Sequence, residues 1–484
     1  MKRRTILLYN FYFKNLRKEE GIRELIKVFL EESDFKIFSS APIKPLSDAV
    51  ECGDRDFFFE DVPCENHKGG LSQNRLKADI FKKLSGELGT TPSWGIITGI
   101  RPVKLFGEIA DSFATRNFSL EEAVKKAKKK FLKEYLISKE KADLVEEIYN
   151  VQKNAFLKPA YNSFSLYIGI PFCPTRCSYC SFTSEPGTNK DMEEYLDALL
   201  REIGYLSKEI REKCLFPETV YIGGGTPTSL SSEQIKKLLY HIETYLLDGG
   251  TREVTFEAGR PDTITKEKVK VLNAGSVTRI SINPQTYNEE TLKIIGRPHT
   301  NSQVEEAFYL SRSLGDFQIN CDLICGLPKE TIVDFRKSLS WIEEFKPENI
   351  TVHTLAAKRK SLLTRADREF YRQGEKQVGN MLDEAYKSLK NNAYSPYYLY
   401  RQKNMIGAFE NVGYSLEGRE NLYNVRIMDE HQTIAALGAG GISKAYYPKE
   451  DKIERVPNVN NYLIYIDRVE EMIDRKRKNL FKEV

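Results

Sequence analysis

From Ser165 onward the chain alternates between two hydrophobic periods. Short runs rich in β-branched and aromatic residues lie at 165–170, 219–222, 253–257, 277–282, 317–324 and 349–353, and helical patterns separate them. The clearest helix is marked by Met192, Tyr195, Leu196, Leu199, Leu200, Ile203 and Leu206, which recur at the i, i+3, i+4, i+7 spacing of one apolar face. Six strand–helix units in series require a parallel sheet with right-handed crossovers. The expected fold is α/β, a partial (β/α)6 barrel over residues 160–360.

Residues 1–155 read differently. Strand-like runs at Thr5 to Phe13 and Phe35 to Ser39 mix with Lys- and Glu-rich helices, which predicts an N-terminal α+β domain of unknown role. The run Lys125, Lys126, Lys128, Lys129, Lys130 is flanked by Glu121 and Glu122 and reads as a solvated helix face. Past residue 360 the alternation stops. A Tyr-rich segment (Tyr394, Tyr397, Tyr398, Tyr400) leads to Gly438-Ala439-Gly440-Gly441, and a charged amphipathic helix is expected from about Asn458 to Leu480. Residues 361–484 are read as a mostly helical C-terminal extension. Neither an internal repeat nor a low-complexity segment interrupts this order.

A barrel makes a demand on its sequence: chemistry belongs just after the C-terminal ends of the strands. The unusual residues fall there. Cys173, Cys177 and Cys180 follow strand one, Gly223-Gly224-Gly225-Thr226-Pro227 follows strand two, and Glu257 closes strand three. Gln285 follows strand four, Asp322 lies near the end of strand five, and His353 closes strand six. Random placement would have scattered polar residues to both ends.

Composition narrows the class. The chain has 484 residues, 40% hydrophobic and 29% charged, which fits a globular protein of two or three domains. Lys+Arg 73 against Asp+Glu 69 leaves a net charge of +4, too small to suggest nucleic acid. The apolar run Ile6 to Phe13 is broken at once by Lys14 and Arg17, so it reads as a strand and not as a signal peptide. No run approaches membrane-spanning length, and a cytoplasmic location is expected. Eight cysteines are too few for a disulfide framework; Cys52, Cys64, Cys214, Cys321 and Cys325 are scattered and read as small hydrophobes.

Cys173-Pro-Thr-Arg-Cys177-Ser-Tyr-Cys180 is different, because it places three thiolates on one loop. A structural zinc site needs four ligands, and no fourth Cys or His lies nearby. Three cysteines suit a four-iron, four-sulfur cluster that keeps one iron open. The Cys-x3-Cys-x2-Cys spacing, with an aromatic before the third Cys, resembles the signature of the radical S-adenosylmethionine (SAM) superfamily. In that superfamily the open iron binds SAM, and the Gly223–Pro227 loop is similar to the one that contacts the SAM methionine.

Further motifs narrow the resemblance. Tyr167-Ile-Gly-Ile-Pro-Phe172-Cys173, Gly-Gly-Gly-Thr-Pro-Thr228, Phe256-Glu257-Ala258, Ser281-Ile-Asn-Pro-Gln285, Gly296-Arg297 and Asp322-Leu-Ile-Cys-Gly-Leu-Pro328 recur in the order found in the oxygen-independent coproporphyrinogen III oxidase family. The first 155 residues, with Thr98-Gly-Ile-Arg-Pro102, resemble that family's HemZ variant. The resemblance implies that Tyr167, Phe172, Gly224, Gly225, Thr226, Glu257, Gln285, Arg297 and Asp322 line the SAM site. Arg297 would take the SAM carboxylate.

The implied reaction is oxidative decarboxylation of two propionates of coproporphyrinogen III to vinyl groups in haem biosynthesis. It needs a tetrapyrrole substrate and an electron donor such as flavodoxin or ferredoxin; a monomer is expected. His353 is either a substrate-cavity residue or an ordinary strand-end histidine. Lys358, Arg359, Lys360 and Arg365 follow strand six where a tetracarboxylate would need cations, and are otherwise a solvated basic loop. The C-terminal extension would cover the substrate. The chain departs from the decarboxylating members in two places. It has Gly169 where they usually carry His, and Ser181-Phe182, as in related haem chaperones, where they carry Gly-Cys. A haem-binding chaperone, or another tetrapyrrole-modifying enzyme, fits the same scaffold.

Overall fold

The computed structural model describes residues 8–13, 16, 19–39, 55–59, 70–116, 118–156, 158–180, 182, 184–356, 368–402 and 405–482. The chain divides into two compact units, Met1–Tyr149 with Gly407–Phe409, and Asn150–Ile406 with Glu410–Val484.

The first unit holds three parallel strands, β1 (Tyr9–Phe13), β2 (Phe35–Phe38) and β3 (Arg55–Phe59), in the order β2-β1-β3. Phe11, Phe13, Phe35 and Phe59 bury one face against Ile22, Leu25, Ile80 and Leu84 of helices Glu19–Ile26 and Gly70–Leu88. Helix Leu120–Lys133 starts in a Ser119/Glu122 capping box and buries Ala123, Val124, Ala127 and Phe131. Its lysines stay on the other face: Lys125 is exposed, and Lys128 pairs with Asp143 at 2.6 Å and Glu146 at 2.5 Å. The basic run is a solvated, ion-paired helix face.

The second unit is built on six parallel strands: β4 (Ser163–Ile170), β5 (Phe216–Gly224), β6 (Glu253–Glu257), β7 (Arg279–Ser281), β8 (Gln318–Cys325) and β9 (Asn349–Thr354). They overlap the expected runs one for one. Aliphatic positions such as Leu166, Ile168, Val220, Ile222, Val254, Ile319, Leu323, Ile350 and Val352 are fully or almost fully buried. In five strands a partly accessible aromatic or polar residue stands between buried ones or at the strand end: Tyr167, Tyr221, Glu257, Asp322 and His353. Helix Asn189–Glu212 opens in a Thr188/Asp191 capping box and buries Tyr195, Leu196, Leu199, Ile203 and Leu206 of the expected stripe.

The C-terminal extension supplies strands as well as helices. These are β10 (Ser395–Tyr400), β11 (Asn411–Ser415), β12 (Ile434–Leu437), β13 (Ile442–Tyr447) and β14 (Lys452–Pro457). They lengthen the six-stranded core at both edges, giving the order β10-β11-β9-β8-β7-β6-β5-β4-β12-β13-β14. The sheet is therefore an open, partial barrel whose edges are covered by its own C-terminal residues. The single helix expected near the C-terminus is two, Tyr462–Asp467 and Val469–Asn479, with the break at Arg468. Among the described residues no helix is long and apolar enough to cross a membrane.

Candidate functional site

The cysteine loop leaves the end of β4 and is fixed by its own backbone. Cys173 N–H donates to Glu185 O (3.2 Å), Ser178 N–H to Ile295 O (2.9 Å) and Cys180 N–H to Cys177 O (3.1 Å). None of the three is in a disulfide; Cys177 is buried, Cys173 and Cys180 half-buried. Among the described residues no three His, Cys, Asp or Glu side chains converge on a single-ion position. A cluster that takes one thiolate on each of three irons asks for spacing, not convergence.

The glycine loop lies against this one. Thr226 N–H donates to Phe172 O (2.7 Å), and Thr226 Oγ1 sits 3.3 Å from Cys173 Sγ. A Cβ on Gly225 would lie 2.5 Å from Phe172 O, so only glycine lets the two loops meet. Gly224 has φ +115°, a second requirement for glycine. The Phe172 ring is fully buried, edge-on to Tyr195 at 5.4 Å and Tyr462 at 5.1 Å. It braces the loop from the core side.

Glu257 closes β6 with both oxygens engaged. Oε1 accepts from Tyr221 OH (2.5 Å) and Oε2 from Gly224 N–H (3.2 Å). Burial pushes its carboxyl up to about 7, with a contribution from the Asp322 charge, against the pull of those two bonds. Tyr167 stands beside Tyr221 in register on the neighbouring strand, ring centroids 6.3 Å apart. Asp322 Oδ1 lies 3.5 Å from His353 Nε2, and His353 Nδ1 lies 3.3 Å from Tyr400 OH. His353 is thus built into a carboxylate–imidazole–phenol row.

Gln285 adopts the left-handed conformation, φ +67°. Its backbone is bonded into β8, N–H to Asp322 O and carbonyl to Ile324 N–H, both at 3.0 Å. Arg297 is buried and donates to the carbonyls of Gly259 and Asn283, the latter at 2.7 Å, and to Tyr179 OH at 3.4 Å. Burial, and then the Arg297 charge, hold His299 down at about 3, so its ring is neutral.

Several buried polar atoms here make no hydrogen bond: Asn283 Oδ1, Gln285 Oε1 and Arg297 Nε. Each such atom costs about 1–3 kcal/mol unless a ligand satisfies it. Acceptors and a guanidinium N–H left open on adjacent loops, next to a glycine cradle and three cysteines outside any disulfide, fit a zwitterionic cofactor and a thiolate-bound cluster.

Two further groups were not singled out from the sequence. Tyr221 could have been found from its register with Tyr167. Arg260 and Asp262, beside the cysteine loop, had no signal beyond an Arg-Pro-Asp tripeptide just after Glu257. Arg359, Lys358, Lys360, Arg365, Ser181, Cys52 and Cys64 lie outside the described residues; Phe182 is described and exposed.

Comparison with known proteins agrees with this geometry. The profile of the radical SAM superfamily matches residues 167–342. The chain is 40% identical over 468 residues to the oxygen-independent coproporphyrinogen-III oxidase-like protein HemZ of Bacillus subtilis, covering 96% of this chain and 91% of that one. It is 34% identical over 198 residues to the haem chaperone HemW of the same organism, covering 41% of this chain and 52% of the relative. Among solved structures, the radical SAM coproporphyrinogen III oxidase HemN of Escherichia coli superposes with a TM-score of 0.52 at 21% identity. That match covers 67% of this chain and 73% of the other and shows the shared fold.

Proposed function

The chain belongs to the radical SAM superfamily, among the oxygen-independent coproporphyrinogen III oxidase-like proteins of the HemZ type, and on that premise we propose that it decarboxylates two propionates of coproporphyrinogen III to vinyl groups. The superfamily's cofactors are a four-iron, four-sulfur cluster and SAM. Together, when bound, they would supply abstraction of a hydrogen atom from a propionate carbon; loss of CO2 and transfer of one further electron to an external acceptor would complete each vinyl group.

The residues of this chain do the rest. Cys173, Cys177 and Cys180 hold the cluster, and the Gly224-Gly225-Thr226 backbone lets the cofactor approach. Tyr167, Glu257, Gln285, Arg297 and Asp322 would bind SAM, Arg297 being the candidate for its carboxylate. His353, and by resemblance Arg359, are assigned to the substrate. Holding cofactor and propionate in one enclosed site excludes water and fixes which carbon is attacked. In this reading the barrel spans 160–360, residues 361–484 cover the tetrapyrrole, residues 1–155 form a domain of their own, and a small electron-transfer protein feeds the cluster in the cytoplasm.

The observation that carries this reading is the gathering of unpartnered buried polar atoms beside the three thiols. The haem-chaperone reading is favoured by one position. A Cβ on Gly169 would lie 3.1 Å from Ala439 O, so the histidine usual in the decarboxylating members has no room without a shift of that loop. Turnover separates the two. Anaerobic incubation with SAM, reductant and coproporphyrinogen III should give a divinyl product by mass spectrometry and about one 5′-deoxyadenosine per propionate lost. Slow 5′-deoxyadenosine release that ignores the porphyrinogen, with haem retained stoichiometrically, would establish the chaperone instead.

A further inference from the structure

The cysteine loop has two spans, 174–176 between the first two cysteines and 178–179 between the last two, and a buried arginine reaches each. Arg297 bonds Tyr179 OH in the second span. In the first, Arg260 Nη1–H donates to Thr175 Oγ1 at 2.9 Å, and the Thr175 hydroxyl donates onward to Gly296 O at 3.4 Å.

Arg260 is only 2% exposed, and a buried guanidinium is costly unless its N–H groups and charge are matched. Asp262 supplies the match two residues on. Arg260 Nε–H donates to Oδ1 at 2.8 Å and Nη2–H to Oδ2 at 2.7 Å, a side-on fork that fixes the plane of the guanidinium. Burial alone would raise the Asp262 carboxyl, but the Arg260 bonds hold it below the usual range. With its plane fixed, Arg260 has one edge left to offer, and Thr175 occupies it. The loop itself is exposed at Pro174, Thr175 and Arg176, so this contact reaches it from the buried side.

Charge adds to geometry. Arg260 and Arg297 place two cations against the loop, and Asp262 offsets one of them. The surplus is positive, which suits three thiolates and a cluster that gains negative charge on reduction. We propose that Arg260, oriented by Asp262, is a positioning residue that seats the Cys173–Cys177 span through Thr175 and keeps a positive charge against the cysteine loop, favouring the reduced cluster. This rests on the cluster alone and holds for a decarboxylase and a chaperone alike.

The test uses the full chain reconstituted with iron and sulfide without oxygen. Iron loss to a chelator, the electron paramagnetic resonance spectrum of the reduced cluster and its midpoint potential are compared among variants. Thr175→Val removes only the hydroxyl of an exposed residue, and should lose iron about tenfold faster than the parent with an altered spectrum. Arg260→Met should lose iron as fast and shift the potential to more negative values. Arg260→Lys should recover the potential but not the retention, since an ammonium cannot grip Asp262 side-on and Thr175 together. Parent-like retention and spectrum in Thr175→Val, with an unmoved potential in Arg260→Met, would overturn the proposal. If Arg260→Met does not fold, as judged by circular dichroism, Thr175→Val decides alone. A parent chain that takes up no iron would refute the cluster itself, a result distinct from failure of the variants.

Discussion

At the scale of single residues, the three cysteines and Glu257 make the sharpest demands. Cys173→Ala, Cys177→Ala or Cys180→Ala should each abolish the proposed cluster, because each thiolate would hold a different iron. Cys214→Ala should not, since Cys214 stands apart from the loop on an exposed turn. Iron analysis after anaerobic purification reads both outcomes; zinc in place of iron would refute the assignment. Glu257 carries a pH signature. Its carboxyl sits at about 7 in the folded chain against 4.5 ordinarily, so between those values the folded state binds more protons than the unfolded one. The Glu257 contribution to the stability of the cofactor-free chain should therefore fall as pH rises from 4.5 towards 7, opposed by that of the neutral His299, and Glu257→Gln should remove it. Glu330, also raised to about 7 by burial, keeps a fall of its own in the variant. Urea midpoints measured across that range decide, and an unchanged slope in Glu257→Gln would remove Glu257 as its source.

At the scale of elements, the six barrel strands were legible because each joins a β-rich run to a turn or a glycine and a helical pattern follows. The strand-end rule singled out Glu257, Gln285, Asp322 and His353 as candidates before any contact was known. The edge strands were not legible. β12 is the short run Ile434-Ala-Ala-Leu437, with no alternation to read, and it is a strand because β4 offers it a free edge. The tyrosines of 394–400 stood out by composition, but their place in β10 depends on β11 folding back along β9. Arg260 was invisible for a similar reason: its partner Thr175 is 85 residues away.

The C-terminal helix Val469–Asn479 shows how such elements are fastened. Lys476 and Glu202 form a fully buried ion pair at 2.6 Å, and the same carboxylate accepts from Tyr465 OH (2.6 Å), Gly438 N–H (2.8 Å) and Asn458 Nδ2 (3.0 Å). Lys476→Ala leaves that carboxylate buried without its cation and should cost about 3–5 kcal/mol. Adding Glu202→Gln to it should recover part of the loss, because the unpaired charge goes too. A loss under 1 kcal/mol in a urea titration would mean that the helix is held by its apolar face alone.

At the scale of the whole molecule, the question is whether residues 160–360 stand alone. The contacts of the barrel floor say that they do not. Glu218 on β5 is almost fully buried; beside Arg252 at 3.3 Å, its closer partners are Arg426 at 2.8 Å and Gln432 at 3.0 Å, both from the C-terminal extension. Glu253 on β6 accepts the N–H groups of Leu422 and Tyr423 at 3.1 Å, beside its ion pair with Arg279. The edges of β4 and β9 are paired by β12 and β11. Cut at residue 360, the chain would keep two buried carboxylates without these partners and bare two apolar strand edges, which invite intermolecular pairing. A fragment 160–360 should therefore be insoluble or bind no iron, whereas a fragment 150–484 should fold and take up the cluster. Circular dichroism and iron content after anaerobic reconstitution measure both. A well-folded, iron-loaded 160–360 fragment would show that the floor contacts are dispensable and that the C-terminal strands serve the substrate only.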